Sequence, residues 1–158
     1  MQRIVGFEPI VHGDDRILIL GSMPSVKSLE EAMYYANKTN RFWKILGTMY
    51  NLPFESMQDK YKILEYAKIA LWDSAHSCIR KGSMDSNITD TFPNDIPKLL
   101  EENPSIQKIV FNGKTSYTIF KKYYADLRID MEVCPSTSAA NARCSLENLI
   151  TIYKEAGL

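Results

Sequence analysis

The sequence is poor in the residues that build metal centres and disulfide frameworks. Its 158 residues include three cysteines and two histidines, and the cysteines lack the CxxC spacing of a zinc or iron–sulfur site. It also has no apolar run of about eighteen residues to span a bilayer, and residues 1–7 lack the features of a signal peptide. We therefore expect a cytoplasmic protein with reduced thiols and without a membrane segment, a metal ion or an iron–sulfur cluster.

The chain also lacks an excess of charge of either sign. Nineteen Lys and Arg residues balance nineteen Asp and Glu residues, so any affinity for a polyanion has to come from local placement of basic side chains. Residues 36–44 and 134–146 contain basic but no acidic side chains. Basic residues near loops are often only solvated. The pattern therefore fits either a surface that binds nucleic acid or an ordinary solvated surface.

Length and composition are those of one globular domain. A chain of this length can bury a sizeable core, and its 45% hydrophobic and 24% charged residues are ordinary for a globular protein. No internal repeat, low-complexity segment or linker divides the sequence. We predict a single domain over residues 1–158, acting as a monomer.

Short apolar segments alternate with segments of helical periodicity along the chain. The predicted strands are Arg16–Leu20, Lys68–Trp72, Lys108–Asn112 and Ile129–Cys134. The predicted helices are Val26–Ala36, Arg41–Tyr50, Met57–Ala67, Asn94–Glu102, Thr115–Tyr124 and Leu146–Glu155. This alternation predicts a three-layer α/β/α sandwich around a short, mostly parallel four-stranded sheet. Residues 78–92 are the longest predicted irregular stretch and a candidate functional loop.

The carboxyl ends of parallel strands are where such sheets bind ligands. That edge is predicted to gather Gly21–Ser25, Trp72–Ser77, Asn112–Lys114 and Cys134–Ser138 into one cleft. The first and last of these segments are loops of small hydroxylated residues, which can approach a phosphate backbone closely. Behind the first loop, Tyr35 offers an aromatic face and Asn40 a neutral amide, the groups that an extruded base needs. Phe42 and Trp43 are interpreted as core anchors.

The order of these motifs resembles that of the uracil-DNA glycosylase superfamily. The likeness begins with Gly21–Pro24 and ends with Pro135–Asn141. Between them it extends, in the expected order, through Tyr35-Ala36, Asn40–Trp43, Ile69–Asp73, Arg80–Ile88, Asn94–Ile96 and Phe111–Gly113. The first loop is similar to that of the mismatch-specific uracil glycosylases, except that Met23 stands where those have an asparagine. This Gly-Ser-Met-Pro form is similar to the hypoxanthine-DNA glycosylase branch.

The resemblance implies a base-excision DNA repair enzyme that needs no cofactor. Such an enzyme flips a deaminated base, hypoxanthine or uracil, out of DNA and hydrolyses its N-glycosidic bond, which leaves an abasic site. In the hypoxanthine branch the catalytic amide comes from the asparagine of an Asn-x-Phe-Trp segment, which is Asn40 here. The predicted base-binding residues are Ser22, Met23, Tyr35, Asp73 and Asn112. The predicted DNA-binding residues are Ser25, Ser136, Thr137, Ser138, Asn141 and Arg143.

The side chains available favour a monofunctional glycosylase. His12 lies in a polar turn and His76 stands alone in a loop, so no serine–histidine pair is indicated, nor a thiolate or an amine nucleophile. The neutral amide of Asn40 is no strong base, but its carbonyl oxygen can orient a water and stabilise positive charge on the sugar. We therefore expect a dissociative transition state, with catalysis by positioning and electrostatic preorganisation.

Base choice is predicted to depend on Asp73, at the end of the second predicted strand. An ionised carboxylate accepts hydrogen bonds and donates none. Hypoxanthine and uracil carry a ring N–H where adenine and cytosine have an acceptor, so Asp73 would accept the deaminated base and repel the normal one. Asn112 would read a second edge of the base. The structural alternatives are that Asp73 caps a loop or helix and that Asn112 only forms a turn.

The second loop, Pro135–Arg143, carries hydroxyls suited to phosphate contacts that position the protein on DNA. By resemblance it also enters the minor groove and fills the gap left by the extruded nucleotide; the alternative is a polar loop that caps the last helix. Cys134 stands where many superfamily members have a histidine, and Ala139 where the branch commonly has proline. Neither change removes Asn40.

Two other classes of function compete with a DNA glycosylase. A non-catalytic α/β module for nucleic acids or nucleotides would keep the cleft, and the missing first-loop amide favours it. A small-molecule hydrolase acting on free nucleosides is disfavoured by the hydroxyl-rich loop and by the lack of an acidic cluster for ribose or metal.

Overall fold

The computed structural model describes residues 2–158, which form seven strands and six α-helices. The strands are β1 (Arg3–Val5), β2 (Ile17–Gly21), β3 (Ile69–Asp73), β4 (Ala75–Ile79), β5 (Thr89–Pro93), β6 (Lys108–Asn112) and β7 (Asp130–Cys134). The helices are α1 (Val26–Glu31), α2 (Phe42–Tyr50), α3 (Met57–Ala67), α4 (Ile96–Glu102), α5 (Lys114–Tyr124) and α6 (Leu146–Glu155). A 3-10 turn covers Asp85–Asn87.

The central sheet has four strands in the order β3–β2–β6–β7, and every pairing in it is parallel. Ile17 of β2 aligns with Ile69 of β3 and with Lys108 of β6, so the strands end at a common carboxyl edge. The predicted four-stranded parallel sheet is confirmed, with strand ends within one residue of those expected.

Helices cover both faces of this sheet, which confirms the three layers. Ile17 and Ile19 of β2 belong to a buried cluster with residues of α2, α3 and α6. Leu18 and Leu20 belong to a second cluster with residues of α4 and α5. Because both faces of a parallel strand are covered, its sequence is a continuous apolar run rather than an alternating one. The predicted core anchors Phe42 and Trp43 are buried in the first cluster.

A second sheet, which sequence patterns did not predict, has three antiparallel strands in the order β1–β4–β5. The prediction that residues 78–92 are irregular is therefore wrong at both ends, and residues 80–88 alone connect β4 to β5. The strands were missed because β5 is polar and largely exposed, and because irregular register interrupts its pairing with β4. Neither strand shows the apolar alternation of a half-buried sheet.

Helix α1 is shorter than predicted, ending at Glu31 rather than at Ala36. Ala32 adopts a left-handed conformation with φ 53°, and Tyr35 does so again with φ 54°. The buried hydroxyl of Ser28 accepts a hydrogen bond from the backbone N–H of Ala36 at 3.0 Å. The chain therefore turns back after one and a half helical turns and brings its tyrosines towards the sheet edge.

None of the helices in the described part of the chain combines the length and the hydropathy that a bilayer crossing requires.

Candidate active site

A cavity of about 530 Å³ opens at the carboxyl edge of the central sheet. The ends of β2, β3 and β6 form its floor, and the segments after β2, before α2, after β4 and after β7 form its walls. All the predicted site residues line it except Arg143, which is exposed outside the cavity. The sequence motifs therefore converge on one place.

The floor is closely packed around Gly21. A Cβ atom added to Gly21 would lie 2.6 Å from the Asp73 Oδ1 and 2.9 Å from the Tyr35 hydroxyl. Real Cβ atoms essentially never show contacts this short, so glycine at the end of β2 allows these two polar groups to approach the sheet edge.

Asp73 is a buried carboxyl with an unused hydrogen-bonding atom. It is 3% exposed, and its Oδ2 has no hydrogen-bond partner among residues 2–158. Burial raises the pKa of Asp73 to about 7, with the nearby Asp85 carboxyl adding to the rise and Arg80 opposing it. Near neutral pH the carboxyl is therefore divided between an ionised acceptor and a protonated donor.

Tyr35 places a second unsatisfied polar group beside Asp73. Its hydroxyl is buried and finds no hydrogen-bond partner in the described chain, and burial together with the Asp73 charge raises the pKa of this phenol. The ring stacks on Phe42 with centroids 4.1 Å apart, which fixes one of its faces. An unsatisfied phenol next to an unsatisfied carboxyl indicates a place built for a polar ligand.

Asn40 is held by its carbonyl oxygen. The Asn40 Oδ1 accepts hydrogen bonds from the backbone N–H of Phe42 at 2.9 Å and from the Thr137 hydroxyl at 2.7 Å. The backbone N–H can only donate, which fixes the orientation of the amide. Both acceptor sites of the oxygen are thus occupied, and within residues 2–158 no acceptor is recorded for the amide nitrogen. The expectation that the oxygen orients a water does not fit this geometry.

Thr137 belongs to a buried network that joins the second loop to the last helix. Its hydroxyl accepts from the Asn112 amide nitrogen at 3.0 Å, and its backbone N–H donates to the Asn112 Oδ1 at 3.0 Å. The Tyr153 hydroxyl of α6 lies 3.0 Å from the same Asn112 oxygen. Thr137 is 1% exposed, so its hydroxyl faces Asn40 and Asn112 rather than solvent, and Asn112 holds the loop as well as lining the cavity.

Arg41 connects the segment before α2 to the second loop by donating hydrogen bonds to backbone carbonyls. Sequence reasoning missed this role. Its guanidinium donates to the carbonyl oxygens of Ser138 at 2.9 Å and Asn141 at 3.0 Å. It also donates to those of Thr137 and Cys144. The basic character of residues 36–44 suggested contact with a polyanion, but this side chain is turned inward to shape the second loop.

The segment after β4 contributes three further residues that sequence reasoning did not single out. Asp85 lines the cavity and accepts a hydrogen bond from the Ser22 hydroxyl at 2.7 Å, while burial raises the pKa of its carboxyl. The buried Arg80 donates to the Pro24 carbonyl oxygen at 2.5 Å. Met84 lies exposed at the cavity mouth. The motif Gly82–Asp85 was visible in the sequence, but nothing in it indicated these contacts.

The two histidines and three cysteines of the chain do not line the cavity. His12 pairs with Asp15 at 2.7 Å, and the exposed His76 does not line the cavity. Burial, with the Glu132 charge, raises the pKa of the Cys134 thiol to about 11. Residues 2–158 contain no group of three or more His, Cys, Asp or Glu side chains placed to hold a metal ion.

Fold and cavity together define an α/β protein with a two-loop ligand site at the carboxyl edge of a parallel sheet. The chain belongs to the uracil DNA glycosylase superfamily, whose family model matches residues 9–155. It is 36% identical over 142 residues to a protein of Methanosarcina acetivorans named hypoxanthine DNA glycosylase, a match that spans 89% of each chain.

Two further comparisons agree with this family. A Methanosarcina barkeri protein, also named hypoxanthine DNA glycosylase, is 31% identical over 140 residues, which are 87% of this chain and 88% of that protein. A solution NMR structure of a candidate uracil DNA glycosylase from Methanosarcina acetivorans superimposes with a TM-score of 0.78, at 32% identity over 98% of both chains. The family resemblance expected from the sequence is therefore confirmed.

The buried Asp73 predicts a pH-dependent stability difference. Its raised pKa means that the folded state keeps a proton which the unfolded chain releases, so its stabilising contribution is lost as pH rises from about 4 through 7. Asp73→Asn removes this titration. The free energy of unfolding of the variant relative to wild type should rise by about 1.4 kcal/mol per pH unit over that window and then level off.

Urea denaturation at pH 5, 6, 7 and 8 measures this difference. Asp126→Asn, at an exposed carboxyl outside the cavity, is the matched control. Equal pH dependence for the Asp73 variant and the wild type would contradict the assignment of a buried titrating carboxyl.

Proposed function

We propose that this protein is a monofunctional DNA repair glycosylase that flips a deaminated base out of DNA and hydrolyses its N-glycosidic bond. The observation that carries the proposal is the cavity itself. The firmly held amide of Asn40 lines it together with the carboxyl of Asp73, whose Oδ2 has no hydrogen-bond partner within residues 2–158. The curated relatives, both named hypoxanthine DNA glycosylase, favour hypoxanthine as the base, with uracil as a second substrate. The cavity volume is in the range of small-ligand pockets, about 300–1,000 Å³.

The chemistry follows from the free end of Asn40. In a dissociative reaction the bond between C1′ and the base nitrogen breaks, and the electron pair leaves with the base. A water oxygen then adds to the cationic sugar, and the proton that this water loses passes to the base anion, which departs as the neutral base. The Asn40 amide nitrogen donates a hydrogen bond to one lone pair of that water oxygen. The second lone pair of the water stays free to bond to C1′. The donors on Oδ1, Phe42 N–H and Thr137 O–H, polarise the amide and strengthen this hydrogen bond.

Base selection is assigned to the free oxygen of Asp73. When ionised it accepts the ring N–H of hypoxanthine or uracil, whereas the ring acceptor of adenine or cytosine would face it without a proton. An unpaired buried acceptor costs about 1–3 kcal/mol. A protonated Asp73 can donate to adenine as well, so selection is sharpest above the pKa of about 7.

Contacts to the DNA backbone are assigned to the cavity mouth. Ser25, Ser136, Ser138 and Asn141 are partly exposed there, where hydroxyls and amides suit phosphate oxygens. Arg143 is exposed on the same loop and adds a positive charge. Thr137, whose hydroxyl is committed to Asn40, is assigned to positioning rather than to DNA.

We also propose that the protein works in the cytoplasm. Its cysteines are free thiols placed on separate parts of the fold, at Cys78, Cys134 and Cys144. This pattern fits a reducing compartment.

Excision from inosine-containing duplexes tests the function, and Asn40→Ala tests the mechanism. Wild-type protein should release the free base in a single turnover, and the variant should do so about 10²–10³-fold more slowly at nearly unchanged duplex affinity, because one preorganised polar group is lost. Asn148→Ala, at an exposed position on α6, is the control. No base release by wild type from inosine or uracil duplexes would favour the non-catalytic module, and full activity of the Asn40 variant would move the chemistry to another residue.

Asp73→Asn tests base selection. For the wild type, the ratio of single-turnover rates on inosine and adenine duplexes should increase from pH 6 to pH 8, since only the ionised carboxylate excludes adenine. The variant should give a lower and pH-independent ratio because an amide can rotate to donate. A ratio that Asp73→Asn leaves unchanged would remove this residue from base reading.

Paired substitutions at Thr137 test its positioning role. Thr137→Val removes the hydroxyl donor to Asn40 and should lower the excision rate about tenfold, as expected for about 1.4 kcal/mol. Thr137→Ser keeps the hydroxyl and should recover most of the rate. The loss should also vanish in an Asn40→Ala background, since the group being positioned is gone. A valine variant as fast as wild type would contradict the role.

A further inference from the structure

One large apolar side chain stands exposed at the mouth of the cavity. Met84 lines the cavity and is 54% exposed. The other exposed residues of the cavity lining are small or polar: Asn37, Thr39, Ser83, Ser86, Ala139 and Ala140. Among residues 2–158, Met84 is also absent from the nearby apolar cluster that includes Cys78 and Ile119. Its exposure is therefore not explained by packing of the core.

The segment that carries Met84 is fixed on both sides of it. On one side, the Ser83 hydroxyl accepts a hydrogen bond from the backbone N–H of Val26 at 2.9 Å. On the other, Asp85 accepts from the Ser22 hydroxyl at 2.7 Å. The Met84 carbonyl oxygen itself accepts from the Asn87 N–H at 3.0 Å. An organised segment thus presents an apolar side chain to solvent, at the place where DNA would approach.

The second loop does not offer a comparable group. Its residues at the cavity mouth are Ser138, Ala139, Ala140 and Asn141, and its apolar side chains there are single methyl groups. A nucleotide that leaves the helix leaves a gap between its neighbours, and proteins that unstack DNA insert larger apolar side chains into such gaps. The methyl groups of Ala139 and Ala140 are smaller than the side chain of Met84, so a larger apolar group beside the second loop would help to fill the gap.

We propose that Met84 is the wedge that enters the base stack and occupies the space of the extruded nucleotide. This rests on the proposed function, because a wedge is needed only if a base is flipped from duplex DNA. The unbranched thioether side chain suits the task, since methionine adapts to irregular apolar surfaces. Asp85, the next residue, lines the cavity that receives the base, so the segment links the stack to the pocket.

The test compares duplex with single-stranded DNA of the same sequence, each with one inosine. Extruding a base from a duplex breaks ordered base stacking, which a single strand largely lacks. A side chain that replaces this stacking therefore matters only for the duplex. Met84→Ala should therefore lower the ratio of duplex to single-strand excision rates by at least about tenfold, because alanine cannot replace the stacking that the duplex loses. Met84→Leu should restore most of the ratio. Met57→Ala is the matched control, because Met57 is similarly exposed, at 47%, but lies outside the cavity lining.

Flipping can also be followed without chemistry. In an Asn40→Ala background, a 2-aminopurine next to the inosine should become fluorescent on binding, and Met84→Ala should reduce that signal while Met57→Ala should not. Wild-type protein that excises from neither DNA form refutes the proposed function itself. Wild-type activity confined to single strands, or a Met84→Ala ratio equal to that of wild type, overturns the wedge while leaving the glycosylase intact.

Discussion

The site depends on the hydrogen bond between the Thr137 hydroxyl and the Asn40 carbonyl oxygen. This 2.7 Å contact joins a side chain of the segment before α2 to a side chain of the second loop, which lies nearly a hundred residues further along the chain. Arg41 reinforces it by donating to carbonyls of the second loop, and Asn112 reinforces it from the sheet edge. Thr137 and Asn112 are buried, so their polar groups would be costly to leave unpaired. The loops are therefore held in register by the same atoms that orient the amide proposed to act in catalysis.

Next to this network of paired hydrogen-bonding groups lie two polar groups without protein partners in the described part of the chain. The Asp73 Oδ2 and the Tyr35 hydroxyl are buried and have no hydrogen-bond partner among residues 2–158, and Gly21 leaves the space that their side chains occupy at the sheet edge. Buried polar groups are normally paired, so this arrangement costs stability in the free protein. The cost has a use if a base edge supplies the missing partners. The site thus separates two tasks: Thr137 and Asn112 fix geometry, while Asp73 and Tyr35 stay open for a ligand.

Sequence patterns predicted the central sheet and the cavity well because both follow from local signals. Apolar runs such as Ile17–Leu20 indicate strands buried on both faces, and the topology of a parallel sheet brings their carboxyl ends together. The direction of a side chain in a loop carries no such signal. Thr137 was predicted to contact phosphate and Arg41 belonged to a basic stretch, yet both are turned inward by partners distant in sequence. The end of α1 was missed for the same reason, since Ser28 recruits the N–H of Ala36.

The small antiparallel sheet, which no sequence pattern indicated, explains how the third wall of the cavity is built. β4 and β5 are the two supports of residues 80–88, and β1 completes the sheet from the start of the chain. That support lets Arg80 donate to the Pro24 carbonyl and lets Asp85 accept from Ser22. The segment after β4 therefore holds the first loop, as Thr137 of the second loop holds Asn40. A segment tied down in this way can keep an apolar side chain in water without collapsing onto the core. On the proposed function, the polar edge strand contributes through rigidity, because it helps to present Met84 at the mouth of the cavity that Asp85 and Asp73 also line.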